Sequence, residues 1–225
     1  MAILYIVATP IGNLGDISFR AIEVLKKVDL ILAEDSRLTK KLLEYYGIKK
    51  PILSYHQHSK LKKVEEIIEL LKKGKNLALV SDAGTPGISD PGNKLIAQIL
   101  LRQSVKIFPL PGPSALTAAA SISGLALDKF IFLGFPPAKK KRKKYFAEIV
   151  NSKYPVIFYE SPHRILKTLK ELKEASIYSS KLRLVVCREL TKKFETIYRG
   201  RIEQIIKQLE KEEIRGEFVV IVTKK

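Results

Sequence analysis

The apolar run Leu77-Ala78-Leu79-Val80 leads directly into Ser81-Asp82-Ala83-Gly84-Thr85-Pro86-Gly87-Ile88-Ser89-Asp90-Pro91-Gly92. The glycines of this second stretch allow positive φ and a close backbone approach to a ligand, and its prolines stiffen the loop. Asp90 is suited to cap a following helix that has Pro91 in its first position. Tight connections between a strand and a helix usually have about 2–6 residues. The longer stretch here therefore predicts a pre-shaped ligand loop; the alternative is a connection without a binding role.

Strand-like apolar runs and amphipathic helical segments alternate on both sides of this loop. We expect strands at 3–8, 30–33, 52–55, 77–80 and 105–108, and helices at 18–27, 36–46, 64–71 and 90–103. Ser36 is the expected cap of the second helix, and Gly47 its end. The repeated strand–helix order predicts an α/β fold with a mainly parallel sheet.

A proline cluster, Pro109-Leu110-Pro111-Gly112-Pro113-Ser114, is expected to end both strand and helix. We therefore place one α/β domain at residues 1–112 and a second at 113–225. In the second we expect strands at 130–133, 156–159, 184–187, 196–200 and 218–222, and helices at 115–121, 141–150, 162–172 and 202–209. The late strands suit hairpins, so this domain is predicted to have a mixed sheet.

The composition excludes several classes of protein. The single cysteine, Cys187, rules out an internal disulfide, and three histidines without a Cys-x-x-Cys pair predict no metal site. No apolar run approaches the roughly 20 residues of a membrane helix, so we expect a cytoplasmic protein with no membrane contact. The net charge of +18 favours RNA or DNA as a partner. The alternative is the lysine-rich composition of many thermophiles.

Polar loops also follow the strands that end at residues 8, 33 and 159. In open α/β sheets ligands bind beyond the carboxyl ends of the strands. Asp90-Pro91, Ser114-Ala115 and Ser161-Pro162 are each expected to open a helix, whose free N–H groups favour anionic atoms. Neither a Gly-x-x-x-x-Gly-Lys-[Ser/Thr] loop nor a Gly-x-Gly-x-x-Gly fingerprint is present, which argues against the usual nucleotide sites.

Seven motifs in order along the chain resemble those of the ribosomal RNA small subunit methyltransferase I family, within the tetrapyrrole methylase-like superfamily. They are Ala8-Thr9-Pro10-Ile11-Gly12-Asn13-Leu14-Gly15-Asp16-Ile17, Ala33-Glu34-Asp35-Ser36-Arg37, the segment 79–92, Pro111-Gly112-Pro113-Ser114-Ala115, Phe132-Leu133-Gly134-Phe135-Pro136-Pro137, Tyr159-Glu160-Ser161-Pro162-His163-Arg164, and the segment 187–195. The resemblance implies S-adenosylmethionine-dependent 2′-O-methylation of a cytidine in the decoding centre of 16S ribosomal RNA. It also implies a homodimer and two α/β domains with a methyl-donor cleft between them.

The resemblance also implies site residues, carried over motif by motif. The expected donor pocket comprises Pro10, Asp82, Ala83, Gly84, Ile88, Ser89, Ser114, Ala115, Tyr159, Glu160 and Leu190. The implied reaction is direct displacement, in which a ribose 2′-oxygen attacks the sulfonium methyl group. Candidates for the base that takes the hydroxyl proton are His163, Glu160 and Glu189, with Asp35 a further possibility; His163 has the most suitable ordinary pKa.

Basic residues are the expected contacts with 16S ribosomal RNA or the small ribosomal subunit. The clearest set is the run Lys139, Lys140, Lys141, Arg142, Lys143 and Lys144, which suits phosphate contact; the alternative is a solvated helix start. Further candidates are Arg37, Arg164, Arg188 and Lys193, each of which could instead be a structural ion-pair partner.

Two departures from the family pattern affect these expectations. The family usually reads Tyr-His-Glu-His-Asn where this chain has Tyr55-His56-Gln57-His58-Ser59, which argues against an essential base at Gln57. Many members also carry a C-terminal extension beyond the position of Lys225, so we expect RNA contact from the two domains or a dimer. The other functions considered are a methylase of a tetrapyrrole precursor and a non-catalytic RNA-binding module.

Overall fold

The computed structural model describes residues 2–57, 59–102, 105–176 and 182–224. The chain divides into two compact units, Met1–Ser114 and Ala115–Lys225. Each unit is built from one five-stranded sheet with helices, and the sheet is entirely parallel in the first and mixed in the second. The predicted α/β fold class, including this difference between the two sheets, is confirmed.

Unit 1 alternates strands and helices from its first strand to its last. Its elements are β1 (Ile3–Val7), α1 (Phe19–Lys27), β2 (Leu30–Ala33), α2 (Ser36–Tyr45), β3 (Ile52–Ser54), α3 (Leu61–Lys72), β4 (Leu77–Val80), α4 (Asn93–Arg102) and β5 (Lys106–Leu110). The strand order is β3-β2-β4-β1-β5. Because all five strands are parallel, the loops that follow them emerge at the same edge of the sheet.

The central strand β4 explains why four consecutive apolar residues precede the glycine loop. Leu77 and Leu79 pack into one apolar cluster, whereas Ala78 and Val80 pack into another. Successive side chains of a strand point to opposite faces, so helices cover both faces of this sheet.

Several sequence expectations for unit 1 are wrong at element ends. Helix α3 begins at Leu61, three residues before the expected start. Helix α4 begins at Asn93 rather than at Asp90, because Gly92 has a φ of 149°, which no helical residue adopts. Strand β5 continues through Pro109 to Leu110, where the proline cluster was expected to end it. Leu110 O accepts a hydrogen bond from Ala8 N–H, on the side of β1. The backbone groups of successive strand residues face opposite sides, so the Pro109 nitrogen, which has no hydrogen, faces the edge of β5 that has no neighbouring strand.

Unit 2 combines a parallel strand pair with an antiparallel ladder. Its elements are α5 (Ala115–Ser121), β6 (Ile131–Phe132), α6 (Arg142–Asn151), β7 (Val156–Glu160), α7 (Ile165–Ala175), β8 (Leu182–Arg188), β9 (Thr196–Arg201), α8 (Ile202–Leu209) and β10 (Phe218–Lys224). The strand order is β6-β7-β10-β8-β9, with only the β6–β7 pair parallel. A single apolar cluster, which includes Phe158, Leu169 and Ile205, fills the core.

The register of β10 brings two of the sequence motifs to one edge of the second sheet. Phe218 at the start of β10 is paired with Glu160 at the end of β7 and with Arg188 at the end of β8. The motif loops that follow these two strands, 159–164 and 187–195, therefore lie one strand apart. Helix α7 begins only at Ile165, so the expectation that Ser161-Pro162 opens a helix is wrong. Among the helices described here, none is long and apolar enough to cross a bilayer.

Candidate active site

The loop 81–92 of unit 1 is tied to the loop that follows β1 by a pair of backbone hydrogen bonds. Thr9 N–H donates to Gly84 O at 2.9 Å, and Gly84 N–H donates to Thr9 O at 3.0 Å. The buried Thr9 hydroxyl also donates to Ser81 O at 3.0 Å. These bonds hold together two polar loops that the sequence analysis placed at strand ends and that follow the neighbouring strands β1 and β4.

Glycine conformation shapes the same loop. Gly84 and Gly87 have φ values of 84° and 86°, which other residues adopt only with strain. A Cβ at Gly87 would lie 2.7 Å from Asn93 Oδ1, while Asn93 Nδ2 donates to Gly87 O at 2.8 Å. The backbone here follows a path that only glycine takes at low cost, as expected of a loop that approaches a ligand closely.

The expected donor contacts from Pro10 to Ala115, the first residue of unit 2, differ in exposure. Asp82, Ile88 and Ser89 are exposed, Ala83, Ser114 and Ala115 are partly exposed, and Pro10 and Gly84 are buried. Asp82 Oδ1 accepts a hydrogen bond from Asp35 N–H at 2.9 Å, which joins the loops after β2 and β4. Exposed carboxylate and hydroxyl groups are thus presented on a fixed backbone.

Glu34 belongs to the motif 33–37 but was not among the expected site residues. It follows β2 directly, just as Ser81-Asp82 follows the neighbouring strand β4. Burial raises the pKa of the Glu34 carboxyl, and the negative charge of Asp82 raises it further. The sequence shows an acidic residue just after each of two apolar strands, but only the structure shows that the two strands are adjacent. Such a pair favours a positively charged group nearby.

Asp35 is engaged in local structure. It rather than Ser36 caps α2, because its Oδ1 accepts the Arg37 N–H at 2.8 Å. The Arg37 guanidinium donates to Asp35 Oδ2 at 2.6 Å. These hydrogen bonds from Arg37 lower the pKa of Asp35 to about 2, which makes the carboxylate a poor proton acceptor at neutral pH. Arg37 itself remains largely exposed.

Glu160 of unit 2 is fully buried, and both of its carboxylate oxygens are occupied. Oε1 accepts hydrogen bonds from Ser161 N–H at 2.7 Å and from Arg164 Nη2 at 2.9 Å. Oε2 accepts from the Thr168 hydroxyl at 2.6 Å. A carboxylate with these three donors serves to hold its neighbours, and a substrate proton has no access to it.

Arg142 extends this buried network to the next loop. Its side chain donates to Glu171 Oε2 at 2.6 Å, to Thr168 Oγ1 at 2.8 Å and to Pro137 O at 2.8 Å. Arg142 is only 6% exposed, although it lies inside the run of six cations. Its guanidinium is therefore a structural group, and we remove it from the expected RNA contacts.

Glu189 is also held by its surroundings. Its Oε1 accepts hydrogen bonds from Lys192 Nζ at 2.8 Å and from Glu217 N–H at 3.0 Å. Burial on its own raises the pKa of Glu189, but these hydrogen bonds, together with the nearby positive charges of Lys192 and Arg188, outweigh it and lower the pKa overall. Like Asp35, Glu189 is a weak proton acceptor.

Of the remaining predicted residues of unit 2, two arginines are held by hydrogen bonds and most of the others are exposed. Arg188 is held by Glu212 Oε2 and by the carbonyls of Glu213 and Arg215, and Arg164 donates to Pro136 O at 3.0 Å. The exposed residues are His163, Lys139, Lys140, Lys141, Lys143, Lys144 and Lys193. Tyr159 is partly exposed and Leu190 is buried.

Two residues in the loop after β8 have a strained backbone, a property that the sequence does not reveal. Glu189 and Thr191 have φ values of 53° and 66°, although neither is glycine. The buried Thr191 hydroxyl has no hydrogen-bond partner among the described residues. Strained residues of this kind cluster at functional sites, and here they flank Leu190, an expected donor contact.

Comparison with known proteins assigns the chain to a family. The family described as Tetrapyrrole (Corrin/Porphyrin) Methylases matches residues 3–206. The ribosomal RNA small subunit methyltransferase I of Thermotoga maritima is 44% identical over 100% of both chains. That of Bacillus subtilis is 47% identical over 99% of this chain and 75% of the relative. The chain belongs to the ribosomal RNA small subunit methyltransferase I family.

Solved structures of other proteins share the fold. A cobalt precorrin-4 methyltransferase superposes with a TM-score of 0.70 at 21% identity, covering 98% of this chain and 94% of that chain. Diphthine synthase superposes with a TM-score of 0.71 at 18% identity, covering 100% and 90%. The resemblance to the methyltransferase I family and the tetrapyrrole methylase fold expected from the motifs are thereby confirmed.

Proposed function

We propose that this methyltransferase uses S-adenosylmethionine to methylate 16S ribosomal RNA, at the ribose 2′-oxygen of a cytidine in the decoding centre. The observation that carries the proposal is the 44% identity over the full length of the Thermotoga maritima relative. The geometry of the strand-end loops supports it, because these loops combine a rigid glycine backbone with exposed carboxylates and a strongly basic surface.

The loop 81–92 fits a methyl donor of this kind. S-adenosylmethionine, when bound, supplies a methyl group on a positively charged sulfonium. Asp82 and Glu34 offer negative charge at the ends of two adjacent strands, which suits a cationic ligand. Gly84 and Gly87, both at positive φ, fix the path of the backbone that presents the exposed Asp82 and Ser89. The other expected donor contacts remain part of this proposal, except the Glu160 carboxylate, which is buried and fully occupied.

His163 is our preferred proton acceptor. The competing carboxylates are engaged: Glu160 by three donors, Glu189 by Lys192 and Asp35 by Arg37. His163 is exposed on the turn between β7 and α7, at the edge where the other unit 2 motif loop also lies. A positioned base contributes about 10²–10⁴-fold to rate, whereas orientation of the reacting groups can supply roughly 7–11 kcal/mol.

The basic surface of unit 2 suits an RNA substrate. Lys139, Lys140, Lys141, Lys143 and Lys144 remain exposed after Arg142 is removed from the set. Five exposed cations within six residues can neutralise several phosphates, and such contacts weaken steeply as the salt concentration rises. A small tetrapyrrole precursor gives no reason for this run of five exposed cations.

A transfer assay with three acceptors tests the proposal. The protein is incubated with methyl-labelled S-adenosylmethionine and, in separate reactions, 30S subunits that lack the modification, free 16S ribosomal RNA, or a tetrapyrrole precursor. We expect label in RNA and, after nuclease digestion, 2′-O-methylcytidine by mass spectrometry. Label only in the tetrapyrrole, or donor-independent RNA binding without transfer, would replace the proposal with one of the two alternative functions.

A further inference from the structure

Phe135 is an aromatic residue held in an exposed position on the loop between β6 and α6. It is 50% exposed, and its ring centroid lies 5.5 Å from that of Tyr159 in an edge-on arrangement. Tyr159 in turn contacts Phe132, with a centroid distance of 5.0 Å. The three rings form one cluster, which we call the aromatic cluster, at the carboxyl ends of the parallel strands β6 and β7.

The two residues that follow Phe135 are fixed by arginines. Arg164 donates to Pro136 O at 3.0 Å, and Arg142 donates to Pro137 O at 2.8 Å. Both arginines belong to the buried network around Glu160, directly or through Thr168. The loop is thus ordered before any partner arrives, and a partner that binds Phe135 does not have to supply the free energy of ordering it.

The charge around Phe135 indicates what kind of partner fits. Lys139, Lys140 and Lys141 follow on the same loop and are exposed. Proteins that bind single-stranded nucleic acid stack bases on aromatic side chains while cations contact the backbone phosphates. Unpaired RNA loops are recognised in the same way.

We propose that Phe135, supported edge-on by Tyr159, is a stacking platform for an unpaired nucleobase of the RNA substrate. Lys139, Lys140 and Lys141 contact the phosphates next to that base. The inference rests on the proposed function, since it takes RNA as the substrate, and it adds that the bound segment is unpaired. It also gives the Glu160 network a role: the network positions the platform.

Substitutions at Phe135 test the platform. Phe135→Ala removes the ring, Phe135→Leu keeps apolar volume without an aromatic face, and Phe135→Tyr keeps the face. Binding of a labelled single-stranded oligonucleotide from the decoding region is measured by fluorescence anisotropy, with melting temperatures to verify folding. We expect alanine to weaken RNA binding roughly 5- to 150-fold, leucine to weaken it by less, and tyrosine to bind within about twofold of wild type. The affinity for S-adenosylmethionine, measured by calorimetry, should not change.

Phe19→Ala is the matched control, because Phe19 at the start of α1 is also an exposed phenylalanine, at 89%. It should bind the oligonucleotide as wild type does. If Phe135→Ala binds RNA as tightly as wild type, or if tyrosine loses as much as alanine, the platform is overturned while RNA methylation stands. If wild type neither binds nor methylates RNA, the proposed function fails, and the platform fails with it.

Discussion

The loops 81–92 and 159–164 both follow a strand at its carboxyl end, but they are held by different kinds of bonds. Loop 81–92 is held by backbone hydrogen bonds to Thr9 and by glycines at positive φ. Loop 159–164 is held by a buried carboxylate, Glu160, and the side chains that donate to it. We call the hydrogen bonds and glycines that hold loop 81–92 the backbone scaffold, and the Glu160 carboxylate with its donors the ionic scaffold. The backbone scaffold leaves side chains such as Asp82 available for a ligand, whereas the carboxylate of the ionic scaffold is fully occupied.

This difference separates binding residues from positioning residues within similar motifs. Asp82 and Glu160 are both acidic residues at strand ends in motifs of the same family. Asp82 is exposed, and one backbone N–H donates to it. Glu160 is buried among three donors. A motif position alone therefore does not tell whether a carboxylate faces a ligand.

The largest expected effect comes from breaking the ionic scaffold at its centre. Glu160→Ala leaves the Arg164 and Thr168 donors without their acceptor, and removing one partner of a buried ion pair costs about 3–5 kcal/mol. The free energy of unfolding is measured by urea denaturation. Glu210→Ala is the control, because Glu210 pairs with Lys170 at the surface, where both side chains are exposed and the ion pair contributes little. An equal loss in both variants would contradict the central role of Glu160.

A smaller loss is expected from the backbone scaffold. Gly87→Ala forces a Cβ into φ 86° and towards Asn93, at a cost of about 1–3 kcal/mol. Gly74→Ala has a similar φ of 79° with no atom within 4 Å of the new Cβ, so it costs only about 1 kcal/mol. Thermal unfolding of both variants measures the difference. If Gly74→Ala proves the more destabilising, the loop is not shaped as described.

The hydrogen bond from the Thr9 hydroxyl, in the same scaffold, contributes less to the free energy of unfolding. Thr9→Val removes the hydroxyl that donates to Ser81 O and keeps the side-chain shape. A buried hydrogen bond of this kind contributes about 0.5–1.5 kcal/mol, and the carbonyl left without it adds to the loss. Chemical denaturation of this variant should give a midpoint between those of wild type and Glu160→Ala. A midpoint equal to that of wild type would show that the backbone pair to Gly84 suffices.

The smallest expected effect is a pH dependence of the free energy of unfolding that comes from the Asp35 carboxylate. The pKa of Asp35 is lowered to about 2 in the folded chain, below its ordinary value. Its contribution is therefore present above the ordinary pKa of about 3.9 and is lost as the pH falls towards 2. Asp35→Asn keeps a capping side chain but lacks this titration. Melting temperatures between pH 5 and pH 2 should fall less for the variant; parallel curves would contradict the assignment.

The sequence predicted elements best where burial alone decides them. The bounds of β2, β4 and α8 agree with the expected ranges, because buried apolar residues recur along each of them. Helices α4 and α7 begin later than expected. The φ of Gly92 keeps Asp90 from capping α4, and the turn at Ser161–Arg164 keeps Ser161 from capping α7. The positioning role of Glu160 depends on Arg142, which is 18 residues away and reaches it only through Thr168 in the folded unit. The spacing Glu160-Arg164-Thr168 was the only local sign of that network.

Calorimetric titration with S-adenosylmethionine tests the central claim most directly, namely that loop 81–92 binds the methyl donor. The titration is run on wild type, Gly87→Ala and Gly74→Ala at a temperature at which all three are folded. We predict that wild type and Gly74→Ala bind the donor equally, and that Gly87→Ala loses about tenfold or more in affinity, in line with the strain placed on the loop. Equal donor affinity in all three proteins would contradict the account.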